Sequence, residues 1–221
     1  IPESEERGSV RLIPAGDVLS ADYWKKLAQI NWHELFYQEG GEGIPFFLEL
    51  KEKIRKQFQL DFLLIDSRTG VTEIGGICTA LLPDQVVCLF ISNQENIEGI
   101  QAVMRDIQGA ERLAGQETIR IVPVLTRIPL SEDQEEENRI VADTQDFLNE
   151  TPQNLSDQLA TDEITVFHSD RNLELKETLR MSADAPPTDT PLLQDYLRLF
   201  SRLIPTEIVE QKIGSILEDV K

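Results

Sequence analysis

The residue best placed to do chemistry is an aspartate that closes a short apolar run. Phe62-Leu63-Leu64-Ile65 stops at Asp66, and Ser67-Arg68-Thr69-Gly70 follows, then Gly75-Gly76 and an apolar stretch that ends at Pro83. A short apolar run bounded by turn residues predicts a buried parallel strand. In open α/β sheets ligands sit beyond the carboxyl ends of the strands. An acid one residue past such a strand, followed by a glycine that lets backbone N–H groups approach an anion, suits a metal–phosphate site. The bland alternative is that Asp66 caps the loop and Gly70 makes a turn.

Other groupings carry less. His168-Ser169-Asp170 are sequence neighbours and no G-x-S-x-G occurs, so a serine-hydrolase triad is set aside. His33 has no metal-ligand companion one helical turn on, and with His168 as the only other histidine a His/Cys zinc site is disfavoured. Gly40-Gly41-Glu42-Gly43 carries acids and no lysine, which would repel a triphosphate; it reads as a loop.

The elements that must position Asp66 follow from periodicity. Val10–Pro14 reads as a strand that turns at Ala15-Gly16-Asp17, and Ser20 is a candidate cap for a helix reaching Ile30. Tyr23, Trp24, Leu27 and Ile30 recur at helical spacing, and Trp32, Phe36 and Tyr37 continue it, so both sets are expected in a core. Residues 44–58 make a second amphipathic helix with Phe47, Leu50, Ile54 and Phe58 on one face. Gln85–Ile91 is the next buried strand, and Ser92-Asn93-Gln94-Glu95 forms an S-x-x-E capping box, with Asn93 also a capping residue. The helix that follows turns Ile97, Ile100, Met104, Ile107 and Ala114 inward. Strands at 119–125 and 164–167 bracket an acid run, Ser131–Asn138, that reads as a solvated helix start. A helix around 173–179, a linker at 183–190 and terminal helices at 191–203 and 205–220 complete the chain. This order predicts an α/β fold, a three-layer α/β/α sandwich with a mainly parallel sheet.

Composition bounds the function. The length of 221 residues suits one large domain, and 40% apolar content supports a real core. The net charge of −19 repels DNA phosphates and anionic lipid, so direct nucleic-acid binding and a basic membrane anchor are not expected. Cys78 and Cys88 sit in apolar surroundings and cannot build a disulfide scaffold, which favours a reducing, cytoplasmic setting. No apolar run is long enough to span a bilayer.

The stretch IDSRTGVTEIGG resembles the second nucleotide-binding motif of the ParA/MinD family of P-loop ATPases, the deviant Walker A, SIMIBI class. The likeness runs from about Leu12 to about Leu179. It implies a P-loop NTPase-like fold, with residues 1–182 a partial nucleotide-binding domain and 183–221 a linker and helices packed on it or on a partner. It also implies ATP and Mg²⁺ as ligands. Asp66 would hold the metal through its water shell, and Gly70 would offer a backbone donor to the terminal phosphate. Ser67, Arg68 and Thr69 would lie near the phosphates. Relatives often carry Asn-Arg where this chain has Thr126-Arg127; a hydroxyl cannot make an amide's two-point contact with a base, while Arg127 would lie near it. His168, after the last strand, would stack on the base. The resemblance further implies a nucleotide-dependent homodimer that controls protein partners.

The family's first motif is absent: no G-x-x-x-x-G-K-[ST] occurs, and the chain begins at Ile1. The expectation is that a P-loop, first helix and second strand precede Ile1. The alternative is a complete, degenerate domain, a noncatalytic protein-interaction module that kept the fold without the nucleotide site.

Overall fold

The structure is a computed structural model, and it describes residues 9–17, 19–67, 76–110, 117–130, 134–150, 159–170 and 191–204. The chain divides into two compact units, Ile1–Gln59 and Leu60–Lys221.

The first unit is helical. Ser20 caps α1 (Ala21–Ala28) as expected, its Oγ accepting from the Asp22 N–H at 3.2 Å. Asn31 caps α2 (Trp32–Tyr37) by accepting from the Glu34 N–H at 3.2 Å. α3 runs Gly43–Phe58 and ends on Gln59 in the left-handed conformation, φ 48°. Gly43 is close-packed: a Cβ there would meet Phe36 Cε1 at 2.6 Å. Two expectations fail here. Val10–Pro14 forms no strand, and Val10, Leu12 and Ile13 are exposed. Nor is the aromatic set a buried core: Trp24, Ile30 and Tyr37 are exposed, and Tyr23, Leu27, Trp32 and Phe36 are only half-buried. The reason is geometric. An extended segment needs a ladder partner, and three short helices enclose too little volume to bury large rings on every side.

The second unit holds a three-stranded parallel sheet flanked by helices, an α/β arrangement. β1 (Gln85–Ile91), β2 (Arg120–Ile128) and β3 (Thr165–His168) lie side by side in sequence order. Joining parallel neighbours requires crossovers, and helices α4 (Gln94–Gly109) and α5 (Gln134–Asn149) lie in those connections. Asn93, rather than Ser92, caps α4, accepting from the Asn96 N–H at 2.8 Å. Helix α6 (Pro191–Leu203) packs on β3.

The central strand is buried along Ile121–Leu125, as its position between two neighbours demands. Period two sorts its side chains. Cys88, Phe90, Ile121, Leu125 and Val166 share one core with Ile97, Met104 and Ile107 of α4 and Leu148 of α5. Ile100 is partly buried against it, so the predicted inward stripe of α4 holds where it is described; Ala114 lies outside the described residues. Phe167 turns the other way and meets Tyr196 of α6 edge-on at 5.0 Å. Gln101 of α4 donates from Nε2 to the carbonyls of Phe147, Leu148 and Glu150 at the end of α5, and Arg105 Nη2 donates to Glu150 O.

The Phe62–Ile65 run differs from expectation. It is not a strand: Phe62, Leu63 and Leu64 are exposed, and Leu64 is 90% so. No partner among the described residues supplies a ladder, so the apolar composition finds no sheet to enter; Phe62 instead lies 6.4 Å from the Phe200 ring of α6. Ile77–Leu81 forms one wide helical turn before Pro83.

Candidate functional site

Because β1, β2 and β3 are parallel, their carboxyl ends share one rim, and α4 and α5 start there. α6 also starts at that rim: Asp195, one turn in, bonds His168 at the end of β3, whereas Leu203 O accepts from Gln85 at the opposite end. Helix amino termini carry partial positive charge, so this is the rim at which an anion is best received.

Thr126, Arg127 and His168 all stand on it, as the sequence predicted. Thr126 is half-buried, and its Oγ1 donates to Phe90 O on β1 at 2.9 Å. That bond uses the hydroxyl proton and leaves the oxygen as an acceptor only. Arg127 is exposed and has φ 60°, the left-handed region that non-glycine residues rarely enter. It sits in the register shift between Leu125 and Ile128, where the β2–β3 ladder skips a residue. The local bulge turns Arg127 out of the sheet while Ile128 resumes pairing with His168.

His168 is the centre of a polar cluster on the rim. Its backbone N–H donates to Asp195 Oδ2 at 2.8 Å, its Nδ1 lies 2.9 Å from the same oxygen, and its Nε2 lies 3.0 Å from Glu137 Oε2. Asp195 is buried on α6 at 1% exposure, and its other oxygen faces Arg198 Nη1 at 3.5 Å. Burial alone would push the imidazole down. The hydrogen bonds and charges of Glu137 and Asp195 outweigh it and hold His168 above its ordinary value. A cavity of about 430 Å³ opens beside the cluster, lined by Gln134, Glu137, Asn138, Gln194 and Arg198 among others.

The two carboxylates were missed by sequence reasoning. Glu137 belongs to the acid run that reads as a solvated helix start, yet its side chain is only 13% exposed. Asp195 had one available signal: it falls between Leu192 and Leu199 at helical spacing, a charge in the apolar phase of α6.

Comparison with family models, curated proteins and solved structures gives no match.

Of the predicted phosphate-side residues, Asp66 is exposed and follows the Phe62–Ile65 run, which forms no strand, and Ser67 is half-buried. Arg68, Thr69 and Gly70 lie outside the described residues, as do the predicted helices at 173–179 and 205–220 and the linker at 183–190. Among the described residues no group of three His, Cys, Asp or Glu side chains could hold a metal, and no helix is long and apolar enough to cross a membrane. Both cysteines are free thiols.

Proposed function

We propose that the chain is part of a ParA/MinD-like switch ATPase, a P-loop NTPase-like three-layer sandwich that binds Mg·ATP and dimerises around it to control protein partners. One observation carries the reading: after Asp66-x-x-x-Gly70, the parallel β1–α4–β2–α5–β3 unit aligns Thr126, Arg127 and His168 on a single rim. That is where an open α/β sheet receives a nucleotide.

The residues present fit the metal by chemistry. Asp66 is an exposed carboxylate with Ser67 and Thr69 hydroxyls near it in sequence. Magnesium takes oxygen ligands, commonly one or two carboxylates with phosphate oxygens and several waters, so a three-residue cage is not required. Asp66 would hold it through water, and a bound metal would neutralise charge developing on the phosphates. The chain's own residues do the remaining work. Gly70 offers a backbone N–H to the terminal phosphate. Arg127, turned out of the ladder, offers a flat cation to the base. Thr126, with its proton committed to Phe90 O, accepts only, so it suits the amino group of adenine and rejects the carbonyl of guanine.

The test uses the gene's full product, because a lysine–glycine phosphate cradle does not occur in these 221 residues and turnover needs one. Mg-dependent ATP turnover is measured for the natural protein and for Asp66→Ala. Turnover is expected to fall by at least about a hundredfold, the scale of losing one electrostatic contributor to the transition state. Equal turnover in both removes Asp66 from the site.

A second reading has its own support. His168, assigned to the base, already has both ring nitrogens engaged by Glu137 and Asp195. A noncatalytic interaction module would keep such a rim closed. Calorimetry with Mg·ATP separates the two, since saturable binding defeats the module.

A further inference from the structure

We infer that Glu137 is a pH-operated latch, narrowing the rim cavity by its bond to His168 and releasing when the imidazole loses its proton. The inference needs no nucleotide and stands apart from the ATPase reading.

The geometry divides the bonds around His168 into unequal halves. On the α6 side, Asp195 accepts from both the His168 backbone N–H and Nδ1 and is only 2% exposed at its side chain. Its second oxygen faces Arg198. The backbone bond does not depend on protonation. On the α5 side, Glu137 is tied to β3 among the described residues through Nε2, at 3.0 Å, and keeps an edge open to solvent. Among the described residues, the charged groups placed against the ring are therefore Glu137 from α5, with Asp195 and, behind it, Arg198 from α6.

An imidazolium donates from both nitrogens and satisfies both carboxylates. A neutral ring has one N–H. That proton stays on Nδ1, where the drier carboxylate is anchored by the backbone and cannot withdraw. Nε2 then turns a lone pair toward the Glu137 carboxylate, and two acceptors 3.0 Å apart repel. Glu137 has water within reach, so it is the partner that leaves. Because Glu137 lines the cavity beside His168, its departure widens that cavity on the α5 side.

The sign follows from the raised imidazole. A group held above its unfolded value stabilises below that value, about 6.5, and the contribution is lost as pH rises through the folded value. The latch is closed in mild acid and opens on the alkaline side.

The experiment is heteronuclear NMR on the full chain. The His168 ring is titrated in the natural protein and in Glu137→Gln, and protection of the first turn of α5, read at the Asn138–Val141 amides that bond its carbonyls, is measured across the same pH range. The expected results are a lower His168 midpoint in E137Q, and a loss of first-turn protection of about tenfold or more in the natural protein as the ring deprotonates, the scale of one charge-assisted hydrogen bond. Equal midpoints in the two proteins, or first-turn protection indifferent to ring protonation, overturn the latch. Asp195→Asn serves as a second variant: with no carboxylate to hold the proton on Nδ1, the neutral ring keeps its N–H toward Glu137, so the first turn should stay protected through ring deprotonation, and a first turn that still opens also overturns the latch.

Discussion

Replacing Asp195 by alanine tests how α6 is held to the sheet. The carboxylate is 1% exposed and accepts from the His168 N–H at 2.8 Å and from Nδ1 at 2.9 Å. Alanine strands a main-chain donor at the end of β3 and leaves a charged ring facing a gap. A hydrogen bond to a charged group contributes about 1.5–3 kcal/mol, and removing one member of a buried charged pair costs about 3–5 kcal/mol. The two bonds share one oxygen, so they do not add. Arg198 is 52% exposed, and its 3.5 Å contact is left out of the sum. Because the His168 side chain keeps 13% exposure, water recovers part of the loss, and the lower end applies, about 3 kcal/mol. Tryptophan fluorescence cannot read this, since Trp24 and Trp32 both lie in the 1–59 unit. Hydrogen exchange at the amides of Ile121–Leu125 can, because the central strand opens only with its unit. At pH 6, where the ring is charged, exchange there should quicken roughly 150-fold. An increase under about fivefold, or roughly 1 kcal/mol, would refute the claim that this carboxylate anchors α6.

Two further outcomes follow from the same structure. Arg127→Gly relieves a left-handed backbone and should stabilise the 60–221 unit by about 0.5–1 kcal/mol, net of glycine's extra chain entropy, read by the same exchange measurement. A loss of stability would show that the arginine side chain braces the bulge. Cys88 is 4% exposed and burial pushes its thiol up to about 12, whereas burial raises the half-buried Cys78 less far. Timed alkylation and mass spectrometry at pH 8 should therefore label Cys78 first and Cys88 only in denaturant; the reverse order would mean that the β1 core face is open.

Strand positions were legible where two signals agreed. QVVCLFI reads as a strand because turn residues bound an apolar run, and β1 has those limits. β2 runs three residues past the predicted end because Thr126 bonds Phe90 O and Arg127 absorbs the register shift. Neither feature shows in residue type. Phe62–Ile65 carries the same apolar signature as β1 and forms no strand, since composition reports a wish for burial and not the presence of a neighbour. At the rim, Arg127 and His168 were legible only as residues that follow apolar strand runs. Glu137 and Asp195 were not, because an acid run suggests water until a partner from another element arrives, and the partner here is some thirty residues away along the chain in each direction.

The side-chain amide of Gln101 reaches the last carbonyls of α5, and Arg105 adds a cation to the same negative pole. The tail of α5 is thus pinned to its neighbour, and nearer the head Glu137 bonds a titratable ring. Trimming Gln101 removes that cap and leaves the last carbonyls of α5 to water, so the loss should be read first as fraying of the tail, while the core contacts of Thr144 and Leu148 hold the body of the helix in place.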